Sequence, residues 1–175
     1  MDMSALSISG DPVSEVVYVE SEGPVSEEVS IALGTAAQQI FQQINQPPIS
    51  AKAISEQIRM GVNGHRWVHL CRAYLEGKLV GYKIGRSNDP RTFESWNGGV
   101  LPSARKKGVA TALAERQEAW CRLQGFGNLT TETAHDNQAM LIVNLKRGFH
   151  VTGTYLERGK NLKIVLRKPL ASSDR

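Results

Sequence analysis

Nowhere in this 175-residue chain is there an apolar run near the roughly 20 residues a membrane helix requires, so no membrane partner is expected. The opening Met1-Asp2-Met3-Ser4 lacks a basic segment leading into an apolar one, and no signal peptide is expected either. Only two cysteines occur, one in an expected strand (Cys71) and one in an expected helix (Cys121). They read as small buried hydrophobes rather than a disulfide or a metal pair. No zinc-type spacing appears, and no metal is expected. Gly-x-x-x-x-Gly-Lys-Ser/Thr and Gly-x-Gly-x-x-Gly are both missing, which excludes a Walker loop and a dinucleotide fingerprint. The net charge of +4 is not gathered into a long tract. Arg105-Lys106-Lys107 is the only run of three cations, with the pair Arg167-Lys168 further on. Without an aromatic RNA-binding signature this argues against nucleic acid as a partner. Together these absences fit a cytoplasmic protein.

What is present suits one globular domain. Hydrophobic residues make up 41% and charged residues 22%, ordinary values for a chain that buries a sizeable core. Residues 1–13 read as a loose leader, 14–170 as the domain and 171–175 as a tail. Glu15–Glu20 reads as a first strand. A helix is expected from about Val25 to Asn45, with Ile31, Ala36, Ile40, Phe41 and Ile44 on its apolar positions and Gly34 as a bend or an interruption. Pro47-Pro48 breaks the chain, and Ser50 caps a second helix through about Met60. Trp67–Leu75 and Lys78–Ile84 form a hairpin through Glu76-Gly77. Thr92–Leu101 is a fourth strand, in which the paired Gly98-Gly99 predicts a bulge or a backbone opened for a ligand. A helix from Gly108 to Gly125, a strand Asn128–Thr133 and a helix Asp136–Arg147 follow. Both helices end in Gly-Phe (Gly125-Phe126, Gly148-Phe149), as Schellman caps do. Phe149–Glu157 and Leu162–Arg167 close the chain as a hairpin.

The most informative stretch is Val100 to Thr111, a strand-to-helix turn with three cations and the small residues Gly108 and Ala110. A helix N-terminus offers unpaired N–H groups and the positive end of the helix dipole, so this turn is an anion cradle suited to a phosphate or pyrophosphate.

Arg105-x-x-Gly108-x-Ala110 resembles the pyrophosphate-binding signature of the GNAT N-acetyltransferases. Asn137-x-Ala139-Met140-Leu141-x-x-Asn144-x-Lys146-x-Gly148-Phe149 is similar to a second motif of that family. The order of elements agrees with the family from about Glu15 to Leu170. The resemblance implies an α/β GNAT fold, a mixed and mostly antiparallel seven-stranded sheet with helices on both faces. It also implies acetyl-CoA-dependent N-acetylation of a small-molecule or peptide amine, by direct attack on the thioester.

By the same resemblance, coenzyme A would lie where the fourth and fifth strands part. Val100 and Leu101 would then offer backbone groups to its pantetheine arm. Arg105, Lys106, Lys107, Gly108, Val109, Ala110 and Thr111 would hold the pyrophosphate, and Asn137 would cap the last helix or touch the pantetheine. Glu94 is the expected base, a carboxylate that needs burial to work near neutrality, with Glu132 and His135 in reserve. Trp96, Glu132 and Tyr155 would face the acceptor, and the acidic groups Glu94, Glu132 and Asp136 would favour a cationic amine. Asn144 departs from the pattern. Many relatives have tyrosine there as acid toward the leaving thiolate, whereas a carboxamide can only hydrogen-bond. Tyr155 or water is the alternative proton source. An apolar last hairpin (Tyr155, Leu162, Ile164, Leu166) suggests a homodimer. A non-catalytic acyl-CoA-binding module remains the alternative reading.

Overall fold

The computed structural model describes residues 15–42 and 48–170. The leader and tail expected at the two ends, and Ile44 and Asn45 of the first helix, lie outside them. The strands are β1 (Val16–Glu22), β2 (Trp67–Leu75), β3 (Lys78–Ser87), β4 (Thr92–Val100), β5 (Asn128–Ala134), β6 (His150–Glu157) and β7 (Asn161–Pro169). They form one sheet in the order β1-β2-β3-β4-β5-β7-β6. Every pairing is antiparallel except β4 with β5. The helices are α1 (Glu27–Ile40), α2 (Ala51–Val62), α3 (Val109–Leu123) and α4 (Gln138–Lys146). Architecture and element order are those expected from the sequence.

Local chemistry sets the boundaries. Ser26 and Ser50 cap α1 and α2, their side chains accepting from Val29 N (3.3 Å) and Ala53 N (3.2 Å). Glu27 and Glu28 lie in the first turn of α1, where the helix dipole favours negative charge. The β2–β3 turn places Glu76 and Gly77 at φ +52° and +75°, the double left-handed geometry that matches strand twist. Both expected Schellman caps are formed: Phe126 N donates to Cys121 O at 3.0 Å and Phe149 N to Asn144 O at 3.1 Å.

One face of the sheet carries α1 and α2, which bury Leu33, Ala37, Ile40, Ile54, Ile58 and Val62 against Val68, Leu70, Tyr82 and Ile84. Gly34 does not interrupt α1. A Cβ there would lie 2.4 Å from Ala51 O, so glycine is what lets α1 and α2 approach. Ile31, expected on the apolar face of α1, is instead exposed. The other face carries α3, whose Val109 and Leu113 pack on Cys71, Ala73 and Val80. Further along α3, Trp120 and Cys121 join Phe93, Phe126, Leu129 and Phe149. The two cysteines are free and buried, as expected. Helix α4 is different, because it buries no residue and leaves Met140, Ile142, Val143 and Leu145 about half exposed.

Candidate active site

The site begins where β4 and β5 part. They pair in parallel only from Thr92↔Asn128 to Glu94↔Thr130. One step further the Thr131 hydroxyl donates to Ser95 O at 3.0 Å, and beyond that the strands diverge. The irregularity expected at Gly98-Gly99 falls earlier: the β3–β4 register shifts between Ile84↔Asn97 and Gly85↔Ser95, so Trp96 is the extra residue. The two glycines serve packing instead. A Cβ on Gly98 would lie 2.6 Å from Tyr82 O, and one on Gly99 would lie 2.5 Å from Ile40 Cγ2.

The free edge of β4 can be read from its alternation. Leu101 N donates to Val80 O at 2.8 Å, and Leu101 O accepts from Ala104 N at 2.9 Å. Leu101 is therefore already paired, contrary to expectation, because the chain enters a 3-10 turn (Pro102–Ala104) directly after it. The same alternation turns the backbone groups of Val100 and Gly98 away from β3 and toward the gap.

The turn into α3 has the geometry of an anion cradle. Lys106 (φ +61°) and Gly108 (φ +75°) are left-handed, and Gly108 is the N-cap without a side-chain hydrogen bond. Among the described residues, no backbone partner is found for the N–H groups of residues 106–111. Lys106 is a strained residue at a row of unsatisfied donors, an arrangement that fits a bound anion. Arg105 acts differently from its neighbours. Its Nε donates to Val100 O (3.3 Å) and its guanidinium NH2 to Ile40 O (3.4 Å), tying the ends of β4 and α1 together.

Between the gap and this turn runs a cleft lined by α3 (Ala110, Thr111, Ala114, Glu118), α4 and its C-cap (Met140, Asn144 and then Arg147) and the sheet (Lys83, Ser95, Thr131). The loosely packed apolar side of α4 is one of its walls. At its inner end Glu118 accepts from Arg147 (2.7 Å) and Lys168 (2.8 Å), with Arg122 at 3.5 Å. Burial opposes ionisation of Glu118, but hydrogen bonds from Lys168 and Arg147 outweigh it and hold the carboxyl below its usual range. Lys83 adds a further cation. Burial first, and the nearby Arg147 second, bring its ammonium down to about 8. The cleft is thus electropositive, and its unsatisfied donors and cations fit a phosphorylated ligand.

The opposite side of β4 carries the remaining candidates. Glu94 accepts from Arg86 Nε at 2.8 Å, its cross-strand partner on β3. It is about one-third exposed, so the burial expected of a base is only partial, and a guanidinium engages one carboxylate oxygen. Arg86 also stacks 4.4 Å over Trp96 and donates to Gly61 O. Trp96 packs tightly on Gly61, where a Cβ would lie 2.4 Å from the ring. Across the gap Tyr155 donates to Glu132 Oε2 at 2.6 Å, and this hydrogen bond chiefly pushes the phenol up to about 12. Glu94 pairs with Thr130, two positions before Glu132 on β5, so Glu94, Glu132 and the Tyr155 bonded to it share one face. His135 and Asp136 are exposed at the end of β5. Asn137 caps α4, accepting from Met140 N at 3.2 Å, and Asn144 faces the cleft.

Sequence reading missed Arg86, Ser95, Thr131 and the group Lys83, Glu118, Arg147 and Lys168. A signal was available for Lys83: it sits between Gly81 and Gly85 on the face opposite Tyr82 and Ile84, a cation on that face of a largely buried strand.

Parted parallel strands beside a helix N-terminus with unpaired N–H groups are the arrangement expected of an acyl-CoA-dependent acyltransferase fold. The sequence model of the acetyltransferase (GNAT) family matches residues 35–149. The chain belongs to the GNAT acetyltransferase family, enzymes that move an acetyl group from acetyl-CoA to an amine. Solved structures agree in fold. A GNAT-family protein from Desulfovibrio desulfuricans is 16% identical with a TM-score of 0.73, over 90% of this chain and 100% of that one. The ribosomal-protein-S18-alanine N-acetyltransferase from Escherichia coli is 18% identical with a TM-score of 0.65, over 90% of this chain and 97% of that one. The PaiA N-acetyltransferase from Thermoplasma acidophilum, in complex with coenzyme A, is 15% identical with a TM-score of 0.63, over 86% of this chain and 99% of that one. No curated protein matches the chain in sequence.

Proposed function

We infer that the domain over residues 14–170 binds acetyl-CoA in the α3–α4 cleft and acetylates a primary amine of a small molecule or peptide delivered to the opposite side of β4. The observation that carries this is the gap beyond Glu94↔Thr130, opening beside six consecutive N–H groups without a backbone partner among the described residues. Lys106, Lys107, Gly108, Val109, Ala110 and Thr111 hold the pyrophosphate through those groups, and Arg105 acts by fixing the turn. The N–H of Val100, whose carbonyl already accepts from Arg105 Nε, and the backbone groups of Gly98 pair with the pantetheine arm along the edge of β4.

On the acceptor side Glu94 takes the proton from the attacking ammonium, directly or through a water. For this, Arg86 must release one of its oxygens or leave the other free. Trp96 and the Glu132–Tyr155 pair form the walls of the acceptor site, and their carboxylates favour a cationic amine. Asn144 orients the sulfur end by hydrogen bonding and donates no proton in chemistry. The chain works in the cytoplasm; among the described residues no helix is long and apolar enough to cross a membrane. It forms a homodimer through the edge strand β6, where Val151, Tyr155 and Leu156 are exposed. Leu166, first placed on that surface, lies in the core.

The test is a panel of amines, from polyamines and amino acids to peptide N-termini, assayed for free thiol released from acetyl-CoA. A cationic amine should give the largest kcat/KM. Absence of thiol release across the whole panel would overturn the reading.

A further inference from the structure

The departing sulfur needs a proton, and Asn144 cannot supply one. The groups lining the cleft leave few candidates. The Thr131 hydroxyl donates to Ser95 O and the Tyr82 hydroxyl to Asn97 Oδ1. Burial further raises the Tyr82 phenol above its ordinary value. Glu118 is an ionised acceptor held by cations, and the Arg147 guanidinium does not release its proton. Lys83 remains. No hydrogen-bond or ion-pair partner is found for its ammonium among the described residues, although it is half-buried and lines the cleft. Its cross-strand neighbour is Gly98, where a Cβ would lie 3.0 Å from Lys83 Cα and 3.4 Å from its Cβ. The missing side chain leaves the lysine stem a path across β4 toward the gap.

The geometry points to Lys83 as the acid that protonates the leaving sulfur, an assignment that rests on acetyl-CoA occupying this cleft. As the acceptor nitrogen bonds to the carbonyl carbon, the C–S bond breaks with its electron pair on sulfur. Lys83 gives that sulfur a proton and becomes a neutral amine, which regains a proton from solvent before the next turnover. The proton lost by the acceptor nitrogen leaves separately through Glu94, so the products are an amide and a free thiol. The charges facing Lys83 are Arg147 from α4 and Glu118 from α3, with Cys121 on α3 beyond them and Lys168 of β7 against Glu118. Burial and Arg147 lower the ammonium, Glu118 partly restores it, and the result is about 8. An ordinary thiol titrates at about 8.5, so donor and leaving group are closely matched.

The test titrates the thiol of bound coenzyme A by its ultraviolet thiolate absorbance in the parent, Lys83→Met and Lys83→Arg, with calorimetry to establish binding. In the parent the bound thiol should titrate about one unit or more below the free value of about 8.5. In Lys83→Met it should return to that value or rise above it, with coenzyme A still bound. Lys83→Arg keeps the charge and the lowered thiol. Its thiol release from acetyl-CoA, with the amine found by the panel or with hydroxylamine, should fall about a hundredfold because a guanidinium does not give up its proton. An unchanged thiol titration in Lys83→Met, or parental turnover in Lys83→Arg, overturns the assignment. Absence of coenzyme A binding in the parent itself overturns the cleft reading beneath it. Should Lys83→Met not fold, Lys83→Gln carries the same comparison.

Discussion

Replacing Gly108 with aspartate tests the anion cradle with little disturbance of the fold. The residue sits at φ +75° as the N-cap of α3, and a Cβ built there meets no atom within 4 Å. A side chain therefore enters open space, and the folding cost is the left-handed backbone alone, about 1 kcal/mol and less for aspartate, which tolerates that region. For a bound pyrophosphate the substitution is severe. A carboxylate about 5 Å from one phosphate charge raises the energy by about 0.8 kcal/mol at a dielectric of about 80, and by about 3 kcal/mol at about 20. The turn is a surface feature with one side on the protein, so the effect should fall between these limits. Acetyl-CoA binding by calorimetry should weaken by about tenfold or more, corresponding to at least about 1.4 kcal/mol. The loss should shrink at high salt, since screening acts on exposed charges. Gly108→Ala is the control, carrying the backbone strain without the charge, and should bind acetyl-CoA much more tightly than the aspartate variant. Equal affinities for the parent and Gly108→Asp would place the pyrophosphate elsewhere.

Glu94→Gln should lower turnover by about two to four orders of magnitude while leaving acetyl-CoA affinity nearly unchanged, because the carboxylate lies on the acceptor side of β4; near-parental kcat would move the base to Glu132 or to water. His69 is buried, stacked 4.7 Å from Trp120 and held at Nε2 by Glu20. Burial lowers its pKa below 6.5 more than Glu20 restores it, so the folded state binds fewer protons than the unfolded chain. Its contribution to stability is complete above about 6.5 and declines as pH falls through the lower folded value. Urea midpoints should therefore drop on acidification before the carboxylates titrate, and a His69→Gln variant that keeps the same slope would refute this. Light scattering at tens of micromolar should give the mass of two chains; a monomer mass with and without coenzyme A would remove β6 as an interface.

The parts of this protein legible in the sequence are those specified within a few residues of chain. Ser50 caps α2, and Gly-Phe ends α3 and α4, because a cap is a hydrogen bond between near neighbours. The turn from Arg105 to Thr111 was recognisable for the same reason, since a helix start, glycine and cations are all local. The order of elements along the chain followed from hydrophobic periodicity, and the mixed seven-stranded sheet from the resemblance of two motifs to one family. Tertiary structure decided everything that joins distant residues. Arg105 reaches Ile40 O across 65 positions, which converts an expected anion ligand into a clamp. Glu94 meets Arg86 only because β3 and β4 pair with an extra residue at Trp96, a register that no local pattern encodes. The inner end of the cleft draws Lys83, Glu118, Arg147 and Lys168 from β3, α3, the end of α4 and β7. Apart from Lys83, each of these looks like an ordinary surface charge in the sequence. Burial beside such charges is what makes Lys83 and Glu118 chemical, because desolvation and neighbouring charge shift a proton equilibrium where water has been excluded.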